Sequence, residues 1–128
     1  MKGKKIMADS VLLKIVRDSM LEVYQAKRLI DKKELLQNYP ILSTPMNCSV
    51  TIYIEEETKN SHTTQTQQAL LENIITAAKK AAFEDPKHSP LSSSEYLSCE
   101  IELTLHTEDG DISEKDPPII EDKTTILI

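Results

Sequence analysis

The chain has 128 residues, 39% hydrophobic and 28% charged, the proportions of an ordinary globular domain with apolar material enough for one core. Its 21 Asp and Glu outnumber 15 Lys and Arg, a net charge of -6, which argues against a sequence-independent nucleic-acid binder, since such affinity comes from cations neutralising phosphates. One Phe, four Tyr and no Trp, scattered along the chain, argue against a base-stacking platform and leave the core to aliphatic side chains.

A single domain is expected over 1–128, with 1–7 flexible. The basic opening Met1-Lys2-Gly3-Lys4-Lys5 is followed by no apolar stretch of signal-peptide length, and no later run approaches the ~20 residues of a membrane span. The expectation is a cytoplasmic protein without a membrane partner.

From Ala8 to about Lys27, the apolar residues Leu12, Ile15, Val16, Met20, Val23 and Tyr24 recur at spacings of three and four. That is the stripe of an amphipathic helix, with Asp9 or Ser10 as its cap. Asp31 to Tyr39 reads as a short second helix stopped by Pro40. Cys48, Val50, Ile52 and Ile54 alternate with Ser49, Thr51 and Tyr53, which predicts a strand ended by Glu55-Glu56-Glu57. The next eleven positions, Thr58 to Gln68, hold no apolar residue and read as a solvated loop or a poorly buried edge strand with nothing to anchor it.

A second amphipathic helix is expected from about Gln67, burying Leu70, Leu71, Ile74, Ile75, Ala78, Ala81 and Ala82. Thr64 and Gln67 have the spacing of a capping box, and Asp85-Pro86 ends the helix. Ser92 with Glu95 repeats the capping-box spacing for a single helical turn. Leu97, Cys99, Ile101, Leu103 and Leu105 then alternate strictly with Ser98, Glu100, Glu102, Thr104 and His106, a strand with one buried and one wet face. Glu108-Asp109-Gly110-Asp111 is a turn, Asp116-Pro117-Pro118 a stiff connection, and Thr124 to Ile128 has strand composition. The fold class is therefore α+β, a mainly antiparallel sheet packed by two amphipathic helices.

Chemistry is sparsely encoded. Cys48 and Cys99 form no Cys-x-x-Cys pair and fall on apolar strand positions, so both read as buried, inert thiols, with Cys99 standing beside Glu100 and no cation in sequence. His62, His88 and His106 lack the spacing of a helical metal site, and the two glycines, Gly3 and Gly110, exclude a Gly-rich phosphate loop. Glu100 and Glu102 share a strand face at about 7 Å, which alternating charge on a wet face explains without catalysis. No cofactor and no metal site is expected. The residues nearest to a site are Glu84, Asp85 and His88, in the corner Phe83-Glu84-Asp85-Pro86-Lys87-His88-Ser89-Pro90-Leu91.

That corner also carries a resemblance. With the preceding Leu70 to Ala82, and the following Glu95-Tyr96-Leu97 and Glu100-Ile101-Glu102-Leu103, it resembles the AMMECR domain family. That family has an alanine-rich helix, an Ala-x-x-Asp-Pro-Arg-Phe-x-Pro-Leu corner, an acidic helical turn and a Leu-x-Ile-Glu-Val strand. Lys87 and His88 replace the usual Arg and Phe. The resemblance runs over roughly residues 10 to 107 and implies an α+β fold without an assigned reaction. It also implies a Leu-Arg-Gly-Cys-Ile-Gly segment before the alanine-rich helix, where this chain reads Lys59-Asn60-Ser61-His62-Thr63-Thr64-Gln65, and a further C-terminal lobe, which this chain is expected to lack. The expectation is a shortened, divergent member. It would be non-catalytic, acting through protein contacts as a homo-oligomer that pairs its C-terminal strand. The alternative is an enzyme of unassigned class using Glu84, Asp85 and His88.

Overall fold

The computed structural model describes residues 10–119. Helix α1 spans Val11–Gln25; Ser10 caps it by accepting from the N–H groups of Leu12 and Leu13. The short α2, Lys32–Asn38, is capped by Asp31, and a 3-10 turn at Pro40–Ser43 leads into β1, Asn47–Ile54. Strand β2 is Glu57–Thr63, helix α3 Leu70–Phe83, helix α4 Ser93–Ser98, strand β3 Glu100–Thr107 and strand β4 Gly110–Asp116. The α+β expectation holds: among the described residues the strands form one antiparallel sheet, order β2-β1-β3-β4, with α1 and α3 packed on one face.

Period-two alternation explains which strands are central. Cys48, Val50 and Ile52 of β1, and Ile101, Leu103 and Leu105 of β3, point to the helices and are buried. They meet Leu13, Ile15, Val16 and Met20 of α1 and Leu70, Leu71 and Ile74 of α3 in one core. Each such Leu or Ile contributes about 1.5–3 kcal/mol by leaving water. The alanines Ala77, Ala78, Ala81 and Ala82 are fully buried, so α3 lies close over the sheet.

Several expectations need correction. The polar run does form an edge strand, β2, and it is anchored: Asn60 is 1% exposed and donates from Nδ2 to the Ala81 carbonyl at 2.7 Å, while Thr64 is 3% exposed. A polar side chain substitutes for the missing apolar anchor because it reaches carbonyls left free near the end of α3. Thr64 does not cap α3; that helix starts at Leu70 behind Ala69, and Thr64 Oγ1 instead bonds Asn47 Oδ1 and accepts from the Cys48 N–H. The buried Asn73 organises the entry, donating to Met46 O at 2.7 Å and accepting from Thr66 Oγ1 at 2.7 Å. Val23, placed on the buried stripe by its spacing, is 48% exposed. Nothing in the sequence announces strand β4, because Ile112 is its sole apolar residue and it offers no alternation to read.

The capping box Ser92–Glu95 is present in full. Three aromatics far apart in sequence meet in space: the Tyr24 ring packs edge-on to Phe83 at 5.3 Å and to Tyr96 at 5.7 Å. The expected strand Thr124 to Ile128 and the opening residues 1–7 lie outside the described residues.

Candidate functional site

The corner forms where α3 runs out. Glu84 caps the helix and its side chain pairs with Lys80 at 3.3 Å. The Asp85 carboxylate accepts from the Lys87 N–H at 2.9 Å, closing the turn, and from the Ser61 N–H of β2 at 3.1 Å. These two backbone donors hold its pKa below the ordinary carboxylate value. The loop closes at its base through the Leu91 N–H to the Ala82 carbonyl at 2.7 Å, and Leu91 is buried against the core. Tyr24 fixes the exit by donating from its hydroxyl to the Leu91 carbonyl at 2.6 Å.

His88 Nδ1 lies 3.7 Å from Asp85 Oδ2, near enough for an ion pair when protonated and too far for a good hydrogen bond. His62 of β2 joins the group on the helix side of the sheet. Burial, and then the charge of Lys80, lower its pKa, with Glu84 and Asp85 opposing. Asp85 and His88 thus face one another and His62 lies within reach of the charges of Glu84 and Asp85, while Glu100 and Glu102 are elsewhere. Both project from the opposite face of the sheet, where Glu102 accepts from the Tyr53 hydroxyl at 2.6 Å. Among the described residues no group of three or more His, Cys, Asp or Glu has the arrangement of a metal site.

The outer sheet face carries an arrangement that spacing alone does not reveal. Ser49 Oγ lies 2.8 Å from His106 Nε2, and His106 Nδ1 lies 2.9 Å from Asp111 Oδ1, with Thr63 Oγ1 at 2.7 Å on the far side of Ser49. Serine, histidine and aspartate stand in the order nucleophile, base and orienting acid. The signal that could have found it is register: β3 and β4 set 106 opposite 111, and β1 pairs 49 with 104, which leaves 49 diagonal to 106 on the same face. What the face lacks is a set of free N–H donors for an oxyanion, because the central strands β1 and β3 pair on both sides. The Asp111 side chain is also 62% exposed, so water screens its charge.

Neither cysteine is poised to react. Burial pushes the Cys48 thiol up to about 12, with Thr64 partly offsetting it. Burial also raises Cys99, although a cation does stand beside it, contrary to the sequence reading: Arg17 Nη1 is 3.7 Å from its sulfur.

The AMMECR1 family model matches residues 13–124. The chain belongs to the AMMECR1 family. A solved structure with the same fold is that of the uncharacterised protein PH0010 from Pyrococcus horikoshii, with a TM-score of 0.63 at 21% identity. The match covers 73% of this chain and 48% of that one, so this AMMECR1 chain spans about half the length of its structural relative. No curated protein matches it.

Proposed function

We propose that this AMMECR1-family chain is a non-catalytic module that works through protein contacts and pairs with a second copy of itself. The observation that carries the reading is the one-sided sheet. Helices pack on one face, while β4 forms an edge among the described residues, with Ile112 57% exposed on it and Ile119 52% exposed just beyond. An exposed edge strand with an apolar residue is a template for pairing, and an antiparallel pair of identical edges is self-complementary about a two-fold axis. Two free buried cysteines suit a reducing compartment and support a cytoplasmic setting. Size-exclusion chromatography with light scattering is expected to give a dimer, disrupted by Ile112→Lys; a monomer at micromolar concentration overturns the proposal.

A second reading, hydrolysis, is favoured by the Ser49–His106–Asp111 chain alone. A fluorophosphonate probe is expected to leave Ser49 unlabelled, and iodoacetamide to leave Cys48 and Cys99 unmodified in the folded protein at neutral pH. Labelling of Ser49 that disappears in His106→Gln would establish catalysis and sink the non-catalytic reading.

A further inference from the structure

Between the C-terminal half of α1, the 26–31 loop and α3 lies a cavity of about 290 Å³. Its rim carries Lys27, Arg28, Lys32 and Lys79, four cations against the single carboxylate of Glu22, in a chain whose net charge is -6. Glu22 is fully occupied: it accepts the N–H groups of Leu29 and Ile30, each at 2.9 Å, and pairs with Lys79 at 3.0 Å. Lys32 pairs with Glu72 at 3.0 Å. Lys27 and Arg28, adjacent in the loop, have no acidic partner among the described residues. Three apolar side chains, Ile30, Ile75 and the exposed Val23, complete the lining.

We propose that this cavity binds a small organic phosphate monoester, with the phosphate on Lys27 and Arg28 and a short apolar group over Val23 and Ile75. A phosphate concentrates nearly two negative charges and three acceptor oxygens in one group, which suits two adjacent unpaired cations, one of them a planar guanidinium. The loop is held before any ligand arrives: Ala26 ends α1 with φ 52, and the two N–H bonds to Glu22 fix the backbone that follows. That removes part of the ordering cost of binding. The volume lies at the lower end of the range for small-molecule pockets, which selects a compact ester over a larger nucleotide.

The test is titration of the ¹⁵N-labelled protein with phenyl phosphate, followed by NMR. Saturable shifts confined to 22–33 and 75–79 are expected, with inorganic phosphate binding more weakly because it lacks the apolar part. The Lys27→Gln/Arg28→Gln double variant, exposed and remote from the core, is expected to weaken binding by about tenfold or more. Val23→Glu, which sets a carboxylate in the lining, is expected to weaken binding at least as much. Absence of saturation at ~10 mM overturns the proposal. So do an affinity unchanged in the double variant, whose fold is checked by its unfolding midpoint, or shifts spread over lysines elsewhere.

Discussion

Among the described residues Arg17 is the most heavily hydrogen-bonded buried side chain, 6% exposed. Its Nε donates to Asp116 Oδ2 at 2.7 Å, Nη1 to the Tyr96 carbonyl at 2.9 Å, and Nη2 to the carbonyls of Cys99 and Pro117 at 3.1 Å each. The guanidinium also lies 5.2 Å from the centre of the Tyr96 ring. One residue on α1 therefore ties together the end of α4, the approach to β3 and the end of β4. Arg17→Met is expected to cost about 3–5 kcal/mol, because it leaves a part-buried carboxylate and several carbonyls without donors. Arg17→Lys should recover only part of that, since a single ammonium cannot span the fan of acceptors. Urea unfolding measures both, and a loss under ~1 kcal/mol for the Met variant would contradict this account. Nothing in the spacing of α1 marks Arg17 as buried; it falls next to the apolar stripe, and only the partners it meets in space explain its burial.

At the scale of elements, the two hairpins solve their turns differently. After the turn at Glu108-Asp109, Gly110 opens β4 with φ 122, a conformation for which glycine is suited, and nothing lies within 4 Å of where a Cβ would sit. Between β1 and β2 the two turn residues Glu55 and Glu56 take φ of 54 and 68. Positive φ at both central positions belongs to the type I′ turn, which favours Asn-Gly, and two adjacent acids bring both steric cost and mutual repulsion. Glu55→Asn with Glu56→Gly is expected to stabilise the protein by about 1–2 kcal/mol. An unchanged or lower denaturant midpoint would contradict that.

Two kinds of element can be read from sequence: β1, β3, α1 and α3, whose own residues carry the burial pattern, and the short α2 and α4, which are marked by their caps Asp31 and Ser92 although α2 buries no side chain. Strand β4 is invisible because its neighbour β3 supplies the pattern and β4 supplies mainly backbone. The start of α3 lies later than its spacing predicts because Asn73 and Thr66, within and just before the helix, take the role that a capping box at Thr64 would have had. The same limit applies to sites. The corner residues are contiguous and visible, whereas Ser49, His106 and Asp111 meet only through strand register.

For the whole molecule, the titrating groups point one way. The folded pKa of His62 is depressed from about 6.5, first by burial and then by Lys80, so the unfolded chain takes up the proton first as pH falls. Its contribution is present above the unfolded value and is lost as pH falls from there through the lower folded value. Glu22 and Asp85 follow at lower pH. Burial raises Glu22, but the N–H groups of Ile30 and Leu29 together with Lys79 outweigh it, and Asp85 is lowered by the Lys87 and Ser61 N–H groups. Both contributions hold above the ordinary values of 4.5 and 3.8 and disappear below them. Unfolding free energy is therefore expected to decline in two stages on acidification. His62→Gln should flatten the first stage and leave the second, as urea titrations between about pH 7 and pH 3 would show. An identical slope in the variant near pH 6 would refute the assignment.

The pairing of β1 with β3 has a consequence in time. Val50 lies opposite Leu103, with β2, α3 and α4 all intervening in sequence. Each hairpin is local and quick to close, yet each joins one apolar strand to one polar strand and buries little by itself. The free energy of the sheet is released only when the two apolar strands meet, so changes in that seam should slow folding, while changes in β2 or β4 should mainly hasten unfolding. During synthesis, β1 emerges long before its partner and carries Cys48, Val50 and Ile52 uncovered until the chain has extended past Thr107. The acidic turn at Glu55-Glu56 and the wholly polar β2 that follow it are then the nearest protection against association with another nascent chain.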